Sequence, residues 1–465
     1  MNDFREHMLQ ERDRNDLELF EKIKNNPKPD ILDLWALSEE RFIEWRRLND
    51  FPVLLAHFDK TLLLFKEWKA DNKLTNEIII QAGEITPFLE RKKLSKNRKL
   101  YLTKQTWDDK ERLFVCYEKL EGEQKQFGTT YNLEHLQTFN SYLDWLHERG
   151  KKQEILYINS RHAPNHDMER VFIHADVYAS KSDFELLKMG GIDIPVNGFR
   201  LLYRGKKLEF VNLCGLKLTG NINFRELGNL SCSYCACDNW VATDFSMPLV
   251  TFEHCSITNF TLINSKLQQW RFYDCNISGD FFNTKLYMTE IYGGNFNPIM
   301  QSCTLGQTQI KSDSSISDNN LQGYKSFKTI YQNQGDDDLA KYYFIKENKF
   351  IRRHLKGWNF LTKSLSYYYW EYGRKPHRII YYSIATILIF GIVFWLHSNS
   401  ISSTASDIKE FNLWHGLYFS TISFTTMGFS DLIPIGWSRL LVSIEGFLGL
   451  LNMGFLIAGF ANNKY

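Results

Sequence analysis

Three kinds of hydrophobic spacing follow one another along the chain. In residues 1–200, apolar positions recur at helical spacing over 15–24, 38–47, 54–69 and 133–149, while the apolar runs at 154–158 and 170–174 have the length of strands. From about residue 208 an apolar residue recurs at every fifth position: Phe252, Ile257, Leu262, Leu267, Phe272, Ile277, Phe282, Tyr287 and Tyr292. The residue two before each is often small or apolar, as at Val250, Cys255, Phe260, Ser265, Trp270 and Cys275. Neither a helix nor a strand has a period of five. A coil with four short faces does, and twenty residues then close one turn, which predicts a β-solenoid with Phe252, Phe272 and Tyr292 stacked above one another. A Ser- and Asp-rich stretch at 310–320 reads as a linker. Two helical runs, 324–334 and 338–355, are separated by Gly335 and predict a helical hairpin. Last come an uncharged apolar run at 379–396 and a second at 440–461 whose only charge is Glu445. Each is long enough, at about 1.5 Å per residue, to cross roughly 30 Å of hydrocarbon.

Composition alone conceals that segregation. The 465 residues are 43% hydrophobic and 24% charged with a formal net charge of +2, and the mean hydropathy is −0.36. These values exclude wholesale disorder and a polytopic transporter, and they leave no global field for nucleic acid. Lys and Arg are not evenly placed: residues 346–378 carry nine, whereas 397–438 carry only Lys409. The positive-inside rule therefore predicts a cytoplasmic N-terminal part, a cytoplasmic C-terminal tail and an outward-facing segment 397–438. Six of the eight cysteines lie between Cys214 and Cys275. The polar start of the chain has no secretory signal, so reduced thiols are expected. Cys235, Cys255 and Cys275 are twenty apart, which favours one stacked inward corner over a metal site at Cys232, Cys235 and Cys237.

Between the two apolar runs, residues 412–424 predict a helix too short to span, suited to a re-entrant segment. It is followed by Thr425-Thr426-Met427-Gly428-Phe429-Ser430-Asp431. In this setting the run 417–434 resembles the pore helix and selectivity filter of the two-transmembrane potassium channels, a bacterial ion channel family whose filter reads Thr-Val-Gly-Tyr-Gly-Asp. The resemblance covers 379–465. Upstream, Cys255-Ser-Ile257-Thr-Asn and Cys275-Asn-Ile277-Ser-Gly resemble the pentapeptide-repeat family, over about 208–297, with Trp270 and Asp280 departing at the small position. The order of repeat, hairpin and apolar runs, together with Tyr372-Gly-Arg-Lys-Pro376, is similar to bacterial pentapeptide-repeat ion channels.

The resemblance implies a multidomain chain. It would comprise a mixed α/β N-terminal region of unknown role (1–200), a right-handed pentapeptide-repeat β-solenoid (201–305), a linker (306–323), a helical hairpin with a pre-membrane segment (324–378) and an all-α two-transmembrane pore domain with a re-entrant pore helix (379–465). It further implies a prokaryotic homotetramer in the inner (plasma) membrane, conducting potassium, with no cofactor and no metal beyond K+ in the filter. Rings of backbone carbonyls would replace the ion's water shell, with Thr426 supplying the innermost hydroxyl and Asp431 capping the mouth. Glu445 would support the filter, Gly449 would let the inner helix bend, and Asn452 would face the cavity. Ser430 stands where the family has its second Gly, which leaves a non-selective monovalent cation channel, or a non-conducting membrane-anchored binding protein, as alternatives. No Arg-rich voltage sensor is present, so gating is expected from the cytoplasmic part through an unknown ligand or protein. The aromatic run Tyr367-Tyr-Tyr-Trp370 beside basic residues suits the headgroup layer. An enzyme is not expected: His162 and His166 are four apart, but Pro164 argues against the helix that would make them joint ligands.

Overall fold

The computed structural model describes residues 2–90, 99–107, 110–126, 128–151, 154–156, 170–172, 185–195, 206–221, 230–311, 320–404, 410–428 and 431–462. The chain forms two compact units, Met1–Ser326 and Phe327–Tyr465.

The first unit opens with helices over Asn2–Ile23, Ile31–Ala36, Glu39–Asn49, Phe51–Thr61, Phe65–Asp71, Asn76–Ala82 and Thr86–Leu89. Several begin where sequence chemistry says they should. Asp30, Ser38 and Thr75 each accept a hydrogen bond from a first-turn backbone N–H. A four-stranded antiparallel sheet follows, in the spatial order Lys110–Cys116, Leu100–Trp107, Thr129–Phe139, Gly122–Gln126. Here one expectation fails. Residues 133–139 belong to the strand Thr129–Phe139, and the helix is confined to Tyr142–Glu148. The apolar residues Leu133, Leu136 and Phe139 mimic helical spacing, yet only Leu133 and Phe139 are buried, and Leu136 faces outward on the pleat. Pairing with Leu100–Trp107 overrides the local pattern. Of the runs read as strands at 154–158 and 170–174, Glu154–Leu156 and Arg170–Phe172 form a parallel pair, and the rest lies outside the described residues, as do His162, Pro164 and His166.

The β-solenoid is present. One parallel sheet has six rungs, Lys206–Glu209, Leu230–Ser233, Val250–Glu253, Arg271–Tyr273, Glu290–Tyr292 and Gln309–Lys311; a second has nine strands. Register places Leu208, Cys232, Phe252, Phe272, Ile291 and Ile310 in one ladder, all nearly inaccessible to water. Tyr292 is therefore not in the stack. The coil shortens: Phe252 pairs with Phe272, twenty residues on, but Phe272 pairs with Ile291, nineteen on. The missing residue falls after Ile277, where the next inward residue is Phe281 rather than Phe282. From there Leu286, Ile291 and Phe296 point inward, while Phe282 and Tyr287 are exposed.

Two residues change meaning as a result. The small position before Phe281 is Gly279, not Asp280. Gly279 has φ +146°, and a Cβ built on it would lie 2.1 Å from the Phe260 carbonyl oxygen, so glycine is what the corner requires. Trp270 does keep the small position, fully buried, with Nε1 donating to the Met247 carbonyl at 2.7 Å. Cys235, Cys255 and Cys275 are buried, and each thiol donates to backbone carbonyl oxygen at 3.3–3.4 Å.

Both ends of the coil are covered. At the first rung, buried Lys206 donates Nζ to the carbonyls of Leu34, Trp35 and Leu37, and Glu209 accepts from the backbone N–H of Ile85. Phe210 packs on Phe58 from the helical region. At the last turn, the start of the helix Leu321–Asn333 lies across the coil: Gln322 donates its N–H to Asn297, and a Cβ on Gly323 would meet the Phe296 carbonyl at 2.3 Å.

In the second unit, the helix Asp337–His354 packs on the C-terminal part of Leu321–Asn333, with the Tyr331 and Tyr343 rings stacked and Lys328 paired to Glu347 at 2.7 Å. The helix Gly357–Trp370 follows, then a reversal through Glu371, Tyr372 and Gly373, all with positive φ. The remainder is a first long helix, His377–Leu396, a short helix, Leu413–Thr425, and a second long helix, Ser438–Asn462.

Candidate functional site

The site is the short helix and the backbone that leaves it. The helix is begun by a reciprocal cap: Asn412 Oδ1 accepts from the His415 N–H at 3.1 Å, and the Asn412 N–H donates to His415 Nδ1 at 3.2 Å. It ends at Thr426, which takes φ +56°. The next left-handed residue is Gly428, at φ +72°, with Met427 between them outside that region. Alternation of hand along successive residues turns successive carbonyls toward one side, which an ordinary strand cannot do. Thr425, Thr426, Met427, Gly428 and Asp431 are exposed on the single chain, and Phe429 and Ser430 lie outside the described residues.

Asp431 begins the return path. Its carbonyl accepts from the Thr404 N–H at 2.8 Å, and Leu432–Pro434 pairs antiparallel with Ile401–Ser403. The ribbon is fastened to the top of the second long helix by Ser438, whose hydroxyl donates to the Ser400 carbonyl at 2.8 Å. Beneath it, Leu432, Phe394 and Phe419 form a small buried apolar cluster.

Three contacts hold the short helix between the long ones. Gly391 of the first long helix meets Gly416 so closely that a Cβ on Gly416 would lie 2.4 Å from the Gly391 carbonyl oxygen. Gly449 of the second long helix lies against the end of the short one, where an added Cβ would sit 1.8 Å from the Phe424 carbonyl oxygen. Between these, the Ser420 hydroxyl hydrogen-bonds both the Ile387 carbonyl, at 2.9 Å, and the Glu445 carboxylate. Ser420 and Glu445 have no exposed surface, and Glu445 Oε2 has no hydrogen-bond partner among the described residues. One hydroxyl thus joins three helices.

Glu445, Gly449 and Asn452 fall on one buried face of the second long helix, with Asn452 7% exposed. The structure brings Glu445 and Gly449 against the short helix, and with them Ser420 and the Gly391–Gly416 pair, which sequence reasoning did not single out. Small residues inside apolar helices are the signal that points to such close approaches.

Both long helices, His377–Leu396 and Ser438–Ala461, are long and apolar enough to cross a membrane, and most of their surface is exposed on the single chain. No curated protein and no solved structure matches the chain. Residues 379–463, the two long helices with the capped short helix and alternating backbone between them, match the model of a family described as ion channel.

Proposed function

We propose that the chain is the subunit of a homotetrameric cation channel of the plasma membrane, preferring potassium and gated by its cytoplasmic domains. The observation that carries this reading is the alternating backbone of Thr426, Met427 and Gly428 at the end of a capped helix wedged between two membrane-length helices. Four such segments around an axis supply rings of carbonyl oxygens at membrane depth, where irregular backbone is tolerated only if it is buried or lines a pore. The exposure of residues 425–428 on one chain fits a surface completed by other copies. Asp431 then stands at the outer mouth, while Asn452, buried on the face shared with Glu445 and Gly449, packs within the subunit rather than lining the pore. The solenoid is read as a pentapeptide-repeat domain, and with the N-terminal region it forms the cytoplasmic sensor. The Lys and Arg of 346–378 hold that side inward.

Ser430 favours a second reading, conduction of sodium as well as potassium, because the outermost ring would have to form without the second glycine. The test is reconstitution of the full chain in planar bilayers with potassium on one side and sodium on the other. A reversal potential displaced toward potassium supports the selective channel, and one near zero supports the non-selective one. A silent bilayer from folded tetramer overturns both. In the non-selective case Ser430→Gly raises the potassium preference.

A further inference from the structure

The chain that leaves the first long helix is laced to the chain that leaves the short one. Ser400 closes the turn after His377–Leu396 by donating its N–H, at 2.9 Å, and its hydroxyl, at 2.7 Å, to the His397 carbonyl. From there Ile401, Ser402 and Ser403 run in register with Pro434, Ile433 and Leu432. The Ile435 N–H extends the pairing by donating to the Ser400 carbonyl at 2.8 Å, and the same carbonyl takes the Ser438 hydroxyl. The His397 ring stands edge-on to Trp437 at 5.0 Å, so the adjoining ends of both long helices are tied to the ribbon. Leu432, buried with Phe394 and Phe419, ties it to the short helix as well.

Thr404 ends this strut. Its backbone N–H donates to the Asp431 carbonyl oxygen at 2.8 Å, and its hydroxyl donates to the same oxygen at 3.1 Å. A carbonyl oxygen has two lone pairs, and Thr404 takes both. The Asp431 carbonyl is thereby committed to the ribbon rather than to an ion, so the row of carbonyls that follows Thr426 has to end before it. Its backbone is also held by two bonds from one residue, on a strand anchored at the other end.

The residues of the run show why such a support matters. Gly428 accepts left-handed backbone without strain, but Ser430, immediately before Asp431, lacks that freedom. Phe429 has no phenolic hydroxyl with which to fasten the run from behind. The buried cluster of Phe394, Phe419 and Leu432 offers no side-chain donor. Among the described residues, the hydrogen bonds that hold Asp431 come from Thr404.

We propose that Thr404 is a positioning residue for the ion path: its hydroxyl, acting through the Asp431 carbonyl, fixes the outer end of the run 425–431 and with it the preference for potassium over sodium. This rests on the reading of the chain as a cation channel. Discrimination between two ions of one charge depends on how many oxygens face the ion and how far they can move. A residue loosened at the end of the run is loosened in every copy around the axis.

The test is the reversal potential of the full chain in planar bilayers, with potassium on one side and sodium on the other, for wild type and four variants. Thr404→Val and Thr404→Ala remove the hydroxyl from an exposed side chain and leave the backbone N–H in place. Each should lower the potassium-to-sodium permeability ratio by roughly two- to tenfold, the span expected of one neutral hydrogen bond. Thr404→Ser, which keeps the hydroxyl, should hold the wild-type ratio. Asn399→Ala, exposed on the same connection, should hold it too. A fall shared by Thr404→Ser or by Asn399→Ala overturns the proposal, because it traces the effect to the fold of the connection and not to the hydroxyl. A potassium preference that Thr404→Val and Thr404→Ala leave unchanged also overturns it, and leaves the channel reading standing. A wild-type reversal potential near zero leaves no preference for Thr404 to hold and counts against it equally. A silent wild type from folded protein overturns the channel reading and this one with it.

Discussion

A carboxylate on a membrane-length helix has to be held by something, and at Glu445 that something is a serine hydroxyl. Ser420 is already committed to the Ile387 carbonyl, so its side chain fixes the spacing of three helices. Removing Ser420 leaves Glu445 buried with neither oxygen partnered within the described residues, at a cost of about 1–3 kcal/mol. We therefore expect Ser420→Ala to lower the thermal stability of the detergent-purified protein more than Glu445→Gln, which keeps an acceptor at the same place. A double change, Ser420→Ala with Glu445→Leu, should recover part of the loss. A Glu445→Gln variant less stable than Ser420→Ala would show that the carboxylate has a partner other than Ser420. Glu445 and Gly449 were legible from sequence because a charge and a glycine stand out in an apolar run. Ser420, Gly391 and Gly416 were not, because what singles them out is a neighbour on another helix, twenty-five residues away in the case of the two glycines.

At the scale of elements, spacing was a good guide wherever one period held. The solenoid, the hairpin, both long helices and the short one follow from it. It failed where a tertiary constraint changed the period. The strand Thr129–Phe139 carries helix-like spacing and is decided by its sheet partners. In the coil, the five-residue step gives way to four between Ile277 and Phe281, and every inward side chain after it moves by one position. Gly279 is the hinge of that change. Gly279→Ala would drive a Cβ into backbone rather than into a yielding side chain, so we expect a loss of roughly 1–3 kcal/mol or more in the denaturant stability of the first unit, read by tryptophan fluorescence. Asp280→Ala, one residue on and partly exposed, should change it by less than about 0.5 kcal/mol. Equal effects would show that the corner tolerates a side chain.

The whole molecule divides into two units, and their stabilities should respond separately to pH. In the first unit, burial acts to lower the pKa of His254, but the Glu90 carboxylate 2.9 Å away outweighs it and raises the pKa to about 9. A group whose pKa is raised on folding stabilises the fold fully below its unfolded pKa, near 6.5, and that contribution is lost as pH rises through about 9. His254→Gln should therefore destabilise the first unit by roughly 1.5–3 kcal/mol near pH 6, and the difference should shrink above about pH 9. The unfolding of the second unit should be unaffected at either pH. A pH-independent difference would mean that His254 acts through packing on Tyr234 rather than through charge.

The covered ends of the coil bear on how copies of the chain can meet. A bare terminal rung is a row of unpaired N–H and carbonyl groups, and a second solenoid could stack on it end to end. Such head-to-tail growth has no reason to stop and leads to filaments. Here Lys206, Glu209 and Phe210 tie the first rung beneath the helical region, and Gln322 and Gly323 lay a helix over the last turn. Among the described residues, these contacts occupy the outer face of the first rung of the six-rung sheet and part of the last turn, and hinder end-to-end stacking there. A chain built this way offers a second solenoid no bare rung at these contacts, so copies brought close together gain nothing there from fusing end to end into a fibre.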